Sequence, residues 1–419
     1  MLGNKLTLHD LTEKDLAGKR IVMRVDFNVP FGKDGKIANN QRIEATIPTI
    51  KEVFAKGANS ITLLSHLGRP NGHVTKETLA PVAQRLEELI GMKVTFVKDC
   101  VGPEVHAVCD HPAKGALILL ENVRFHYEEE GARVNEDGTK TKPTKEELEK
   151  FYAELTSLGD IYINDAFGTA HRGHASMAHV NLPIRAAGNL IKKELDAFVP
   201  VLEKPVRPLL SILGGGKVTD KIKLIENLLD KVDEMIITGG MAFTFLKVSQ
   251  NVQIGKSIFD EEGAKIVNQL LEKAKAKNVK IHLPVDFKIA DAFKADANTK
   301  IATLEEGIPE GWMGLDIGPK TIKEFQETVL RAKTLVWNGP AGVYEFEAFQ
   351  AGTRGILDAV AQATASGALT VIGGGDCAAC AMKWGYTEKI THISTGGGAS
   401  LELLEGRPMP GLLALSDKQ

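Results

Sequence analysis

Short apolar and β-branched runs alternate along this chain with longer stretches in which apolar residues recur every three or four positions. In the first half the runs are Arg20–Asp26, Ser60–Ser65, Lys93–Val97, Ala116–Glu121 and Asp160–Asp165. In the second half they are Leu209–Gly214, Glu234–Thr238, Lys280–Leu283, Thr334–Trp337, Leu369–Ile372 and His392–Ser394. Short apolar runs bounded by turn residues read as strands buried on both faces, and helix-length segments between them read as crossover helices. Val218–Val232 shows the helical period: Ile222, Ile225, Leu229 and Val232 make one apolar stripe, with Lys221, Lys223, Glu226 and Asp230 between them. The repetition predicts an α/β fold with parallel sheets.

So many strands exceed one doubly wound sheet of about six, and 419 residues exceed the size at which a single core stops growing. The predicted architecture is two tandem doubly wound parallel-sheet domains, residues 1–188 and 189–401, joined by a helix over Leu190–Leu202, with a cleft between them. Gly188 and Pro205 flank that helix and suit a hinge. The most polar stretch, Glu128–Lys150, reads as a solvated insertion.

Composition narrows the function classes. Apolar residues at 43% and charged residues at 25% are globular values. A formal charge of −3 gives no global field that would draw the protein to nucleic acid or an anionic membrane, so anionic ligands must be met by local clusters. The start of the chain has no apolar signal core, and apolar stretches such as Ala116–Leu120 fall far short of the roughly 20 residues of a membrane span. The expected address is cytoplasmic. Four cysteines make no disulfide framework, and Cys377 with Cys380 lacks the partners of a zinc site.

Open α/β sheets bind ligands beyond the carboxyl ends of their strands. In the first half those ends carry Asp26-Phe27-Asn28, Ser65-His66-Leu67-Gly68-Arg69, Glu121-Asn122-Val123-Arg124 and Asp165 through Arg172, with Arg42 at the start of a helix. One arginine after a strand is more often a surface ion-pair partner, and Asp26 or Asn28 alone is more often an Asx turn. Four guanidinium groups on one face point instead to a small, highly anionic ligand. In the second half the strands end in glycines: Gly214-Gly215-Gly216-Lys217, Gly239-Gly240, Gly373-Gly374-Gly375-Asp376 and Thr395-Gly396-Gly397-Gly398. Such loops let backbone amides approach phosphate oxygens at helix starts, which suits a nucleotide, although any one of them is explained by a tight turn. Lys217 lacks the spacing and following hydroxyl of a Walker A loop, there is no G-x-G-x-x-G fingerprint, and no G-x-S-x-G elbow. An anion site paired with a phosphate site fits direct phosphoryl transfer without a covalent enzyme intermediate. A dehydrogenase and a non-catalytic binding protein remain open on architecture alone.

Arg24 through Pro30, Ser65 through Pro70, Asp165–His171, Leu213–Val218, Trp337-Asn338-Gly339-Pro340 and Gly373–Asp376 together resemble the phosphoglycerate kinase family, in order, from about Lys5 to Leu415. The resemblance implies a hinge-bending, monomeric kinase of glycolysis whose partners are 3-phosphoglycerate and ATP or ADP, with Mg2+ as cofactor. It places Asp26, Asn28, Arg42, His66, Arg69, Arg124, His171 and Arg172 in the 3-phosphoglycerate site. Lys217 and Arg42, with the amides of Gly397 and Gly398, would meet the transferring phosphoryl group. Lys221 would contact nucleotide phosphates, and Gly239, Gly240, Gly314, Asn338, Pro340 and Glu345 would form the adenosine pocket. Gly374, Gly375, Asp376 and the amide of Cys377 would hold phosphates and metal, the metal on Asp376. The segment 402–419 would return to the first domain. Cys377 departs from the small hydroxyl residue usual there, which removes a side-chain bond to phosphate. Gly173 and Ala175 also depart and leave Arg172 untouched.

Overall fold

The computed structural model describes residues 1–419. Two compact units are present, Met1–Leu195 with Pro408–Gln419, and Asp196–Arg407.

The first unit is built on a six-stranded parallel sheet whose strands lie in the order Thr95–Val97, Ala116–Leu120, Ser60–Leu64, Arg20–Arg24, Ile161–Asn164, Arg185–Ala187. Alternate residues of these strands face one core: Ile21 and Met23, Ile61 and Leu63, Leu117 and Leu119, Ile161 and Ile163. Helices Gln41–Ala55 and Ala80–Ile90 close over it with Ile43, Ile50, Val53, Val82 and Leu86.

In the second unit the sheet order is Lys280–His282, Glu234–Ile237, Leu209–Leu213, Thr334–Asn338, Leu369–Ile372, His392–Ile393, again all parallel. Leu210, Ile212, Ile236, Leu335, Trp337 and Ile372 form one core face against Phe325 and Val329 of helix Pro319–Arg331 and Ile356, Leu357 and Val360 of helix Ala351–Ala365. All eleven strands expected from sequence are found.

Several elements were not foreseen. Arg185–Ala187 adds a sixth strand to the first sheet; three residues led by an arginine carry no apolar run. A three-stranded antiparallel sheet, Thr299–Thr303, Asp286–Ala290, Met313–Ile317, packs its own cluster of Phe287 and Ile289 against Phe243 and Leu246. Its outer strand is mostly exposed and polar, so no parallel-type signal marks it. The helix expected from Val218 begins only at Ile222 and ends at Leu229, after a 3-10 turn over Thr219–Lys221. Asp260 accepts from the backbone and hydroxyl of Thr219, at 2.8 Å and 2.5 Å, and so fixes that turn. The insertion Glu128–Lys150 is not solvated throughout, because Glu129 is 1% exposed.

The division between units falls inside helix Asn189–Leu202, whose first turn is held by the first unit: Asp165 accepts from Leu190 N at 2.8 Å, and Asn189 donates to Glu52 at 2.6 Å. The chain leaves the second unit at Arg407, since helix Gly398–Leu404 is tied to it by Asn227 Nδ2 donating to Leu404 O at 2.6 Å. The returning tail is pinned by Lys5 Nζ, which donates to Leu413 O and Leu415 O at 3.2 Å and 3.0 Å, and by Gly411 N donating to Ala170 O at 2.9 Å.

Strand order reverses beside Leu209–Leu213 in the second unit, and the loops after that strand and after Thr334–Asn338 part company there. Gly339 (φ 99°) stacks its Cα directly on the backbone of Gly214, so a Cβ at either residue would overlap the other's chain. Gly339→Ala combines a left-handed strain of about 1–2 kcal/mol with overpacking of about 1–3 kcal/mol. The variant is expected to lose on the order of 3 kcal/mol in urea denaturation. A midpoint equal to wild type would contradict the packing described.

Candidate functional site

In the first unit four loops converge at the carboxyl ends of the strands. Arg42 Nη1 donates to Asn28 O at 2.7 Å and lies 3.2 Å from Asp26 Oδ1. Asn28 Oδ1 accepts from Gly68 N at 2.8 Å, and Arg124 Nη1 donates to Gly68 O at 2.9 Å. Gly168 lies against Asp26 so closely that a Cβ would come within 2.9 Å of its carboxylate. The loops after Arg20–Arg24, Ser60–Leu64, Ala116–Leu120 and Ile161–Asn164 are thereby locked together. Arg69 and Arg172 are exposed, and their side chains make no hydrogen bond or ion pair. A cavity of ≈ 630 Å³ opens beside Arg69, Arg124 and His174 and is lined further by Tyr127, Arg133 and Lys140.

The concentration of positive charge sets the protonation of the histidines. Burial first, then Arg24, Arg124, His174 and Arg42, hold the His66 imidazole well below its usual range. Burial, then Arg124, Arg24, Arg172 and His171, bring His174 down to about 3. Both rings are neutral at physiological pH and serve as donors rather than charges. Arg124 is also largely buried, and its guanidinium pKa is drawn down by that burial. Sequence reading did not single out Arg24, Glu129, Ser176 or His174 for this cluster. Arg24 sits inside a strand and Glu129 inside a run of acids, so neither carries a local signal; the His174 position beside Arg172 could have been taken from the motif.

In the second unit a cavity of ≈ 330 Å³ is lined by Gly239, Gly240, Gly314, Pro340, Glu345 and Asp376 from the expected set, and also by Phe243, Lys256, Met313, Asp316 and Tyr344. Gly314 passes over the ring of Phe243 with no room for a Cβ, which flattens the cavity wall. Asn338 stands behind the wall. Its Oδ1 accepts from Lys221 Nζ, and its Nδ2 donates to Gly373 O at 2.9 Å, joining the loops on either side. Gly374, Gly375, Gly397 and Gly398 lie outside the cavity lining, at the starts of helices Gly375–Lys383 and Gly398–Leu404. Lys217 is exposed, with no hydrogen bond or ion pair; Lys221 is half-buried, and burial lowers its pKa.

Asp376 is exposed and takes only the Tyr344 hydroxyl, at 3.2 Å, so a carboxylate oxygen is left for a hard cation. Cys377 packs into the core with Cys380; burial drives its thiol pKa far up, and that of Cys380 to about 12. Neither is a nucleophile, and Cys377 offers a phosphate only its backbone amide. Elsewhere Asp99, Cys100 and His126 bring ligand atoms within 4.8 Å of one another. There the carboxylate already takes His126 Nε2 at 2.7 Å and Cys100 N at 2.7 Å, an ion pair over a buried thiol.

A cation cluster on one parallel sheet and a glycine-walled cavity on another are the parts of an α/β phosphotransferase. The family described as phosphoglycerate kinase matches residues 10–407. A phosphoglycerate kinase of Schistosoma mansoni is 58% identical over 415 residues, 99% of each chain, and a probable phosphoglycerate kinase of Caenorhabditis elegans 59% over 417 residues, 99% of each. The solved phosphoglycerate kinase of Coxiella burnetii superposes with a TM-score of 0.86 at 38% identity, covering 98% of both chains; that of Pyrococcus horikoshii gives 0.72 at 31%, also over 98% of both. The chain belongs to the phosphoglycerate kinase family. It is a glycolytic kinase that transfers a phosphoryl group reversibly, 1,3-bisphosphoglycerate and ADP giving 3-phosphoglycerate and ATP. No helix is long and apolar enough to cross a membrane.

Asp316, at the cavity wall, accepts from Gly352 N at 2.9 Å and Ile317 N at 2.8 Å, and burial raises its carboxyl pKa to about 7. The folded state then keeps a proton that the unfolded state releases near pH 3.8. A raised carboxyl pKa therefore lowers stability as pH climbs from the unfolded value to the folded one, by at most about 1.4 kcal/mol per unit. Asp316→Asn removes that contribution, and the stability lost between pH 5 and 7 in urea titrations should shrink by about 2 kcal/mol. An unchanged loss would show that Asp316 ionises freely in the fold.

Proposed function

We propose that the cation cluster of the first unit binds 3-phosphoglycerate and that the cavity of the second binds the adenosine of ATP or ADP, in a monomeric cytoplasmic enzyme. His66, Arg69, Arg124, His171 and Arg172 surround the 3-phosphate, while Asp26 and Asn28 take the hydroxyl end. Gly239, Gly240, Gly314, Asn338, Pro340 and Glu345 form the adenosine pocket, with Glu345 accepting from ribose hydroxyls. Lys221 and the amides of Gly374, Gly375 and Cys377 hold phosphates. The observation that carries this reading is the locking of four strand-end loops around Gly68 and Asp26, beside which the guanidinium groups of Arg69 and Arg172 stand without an ion-pair partner. Unsatisfied, exposed guanidinium groups held beside neutral histidine donors are suited to a phosphate dianion.

The chemistry follows from the groups present. A carboxylate oxygen of 3-phosphoglycerate attacks the γ-phosphorus of ATP; the new O–P bond forms as the bond to the β–γ bridging oxygen breaks, and ADP leaves with that electron pair. No proton has to be abstracted from the carboxylate, so no general base is needed. What remains is to neutralise charge spread over three equatorial oxygens. Arg42, Lys217 and the amides of Gly397 and Gly398 are assigned to them. Asp376 would hold the Mg2+ that accompanies the nucleotide, which would supply further neutralisation. The donor set fits: an exposed carboxylate with no cationic partner, at a helix start beside the cavity.

Arg42→Ala and Lys217→Ala are each expected to lower kcat by about 10²–10³-fold, with smaller changes in KM, in a coupled assay consuming ATP and 3-phosphoglycerate. Both side chains are exposed enough that the variants should melt like wild type. Near-normal turnover in both would overturn the assignment. For Asp376→Asn, the Mg2+ concentration giving half-maximal rate should rise at least about tenfold. If it stays at the wild-type value, Asp376 serves only the first turn of its helix.

A further inference from the structure

Arg24 is, after Trp337, the largest side chain that the fold buries completely. Its Nε donates to Ser176 Oγ at 2.7 Å, one Nη donates to the carbonyl of Val25, and the other lies 3.1 Å from His66 Nδ1. Ser176 in turn gives its hydroxyl proton to Glu129 Oε1 at 2.5 Å and its backbone N–H to Oε2 at 2.9 Å. Tyr162 donates to Ser176 O at 2.7 Å and fixes the serine's backbone. An unbroken chain thus runs from Glu129 through Ser176 and Arg24 to His66.

A guanidinium can only donate. The Nδ1 facing Arg24 must therefore carry a lone pair, and the one ring proton must sit on Nε2, for which the structure provides no protein acceptor. We infer that Arg24, Ser176 and Glu129 are positioning residues that lock His66 as a neutral Nε2–H donor aimed at the phosphate of the substrate. The inference rests on the placement of 3-phosphoglycerate proposed above. Without the lock, part of the ring population would turn a lone pair toward a phosphate oxygen and repel it. Glu129 balances the charge of Arg24, so the chain contributes direction to the site rather than additional field. The acidic run containing Glu129 thereby acquires a role that its sequence does not suggest.

The test is nitrogen-15 NMR of histidine-labelled enzyme, in which protonated and bare ring nitrogens are separate, combined with steady-state kinetics. Wild-type His66 should show a single species, protonated at Nε2 and bare at Nδ1, from about pH 5 to 8. Arg24→Met alone would leave Glu129 buried without its partner, so the informative variant is Arg24→Met with Glu129→Gln, checked for folding by thermal melting. It should show both tautomers and a KM for 3-phosphoglycerate about tenfold higher, with kcat within about twofold. Arg24→Lys, which keeps a donor and the charge balance, should restore the Nε2–H species and most of the affinity. A wild-type ring protonated at Nδ1, or a tautomer unaltered in the double variant, overturns the inference whatever the kinetics. A locked tautomer whose Nε2 signal ignores added 3-phosphoglycerate overturns the substrate placement and, with it, the donor role of His66.

Discussion

A parallel strand buried on both faces can offer its side chains only to the core, and most of what this protein does follows from that constraint. Ser60–Leu64 and Leu209–Leu213 have every residue buried, and their neighbours nearly so. Polar chemistry is excluded from the strands and collects where they stop. The carboxyl ends of adjacent strands deliver their loops to the same edge, so residues distant in sequence, such as Asn28, Gly68 and Arg124, become hydrogen-bonded neighbours. The exception is Arg24, the one charged side chain buried in a strand of the two parallel sheets; it is compensated by Glu129, and each of its three nitrogens has a hydrogen-bond partner.

The two units carry different polar groups at the ends of their strands. The first uses side-chain cations, and gathering them forces the nearby histidines to remain neutral, as the depressed imidazoles of His66 and His174 show. The site gains hydrogen-bond donors there without gaining repulsion between like charges. The second uses backbone. Gly214 against Gly339, and Gly314 over Phe243, are contacts that a Cβ would forbid. Backbone therefore forms part of its wall beside side chains such as Phe243 and Tyr344, with Lys221 held by Asn338 behind it.

Burial also decides which reactive groups stay silent. Cys377 and Cys380 are adjacent to the glycine loops, yet their thiols are packed into the core and kept protonated. Asp165 follows a strand beside the cation cluster, but it is spent on Thr49 Oγ1 and the first turn of the connecting helix, at 2.7 Å and 2.8 Å. Position in a motif does not by itself make a residue part of the chemistry.

The sequence alone determined the α/β class, the eleven apolar strands and the contrast between arginine-bearing and glycine-bearing strand ends, because each is a local pattern of residue types that hydrophobic periodicity and backbone sterics make legible. The sheet of Asp286–Ala290 and its neighbours escaped because Thr299–Thr303 is mostly exposed and the two buried strands carry an acid, Asp286 and Asp316, that interrupts an apolar run, and Arg185–Ala187 escaped because three residues hold no period. Only tertiary structure decided that Glu129 is buried beneath Arg24, that Ser176 links them, and that the Ile222 helix starts late because Asp260 holds Thr219. Those outcomes depend on contacts between residues 41 to 152 positions apart along the chain, which no local window contains. Burial, and the protonation states it sets, is likewise a property of the assembled fold rather than of any segment.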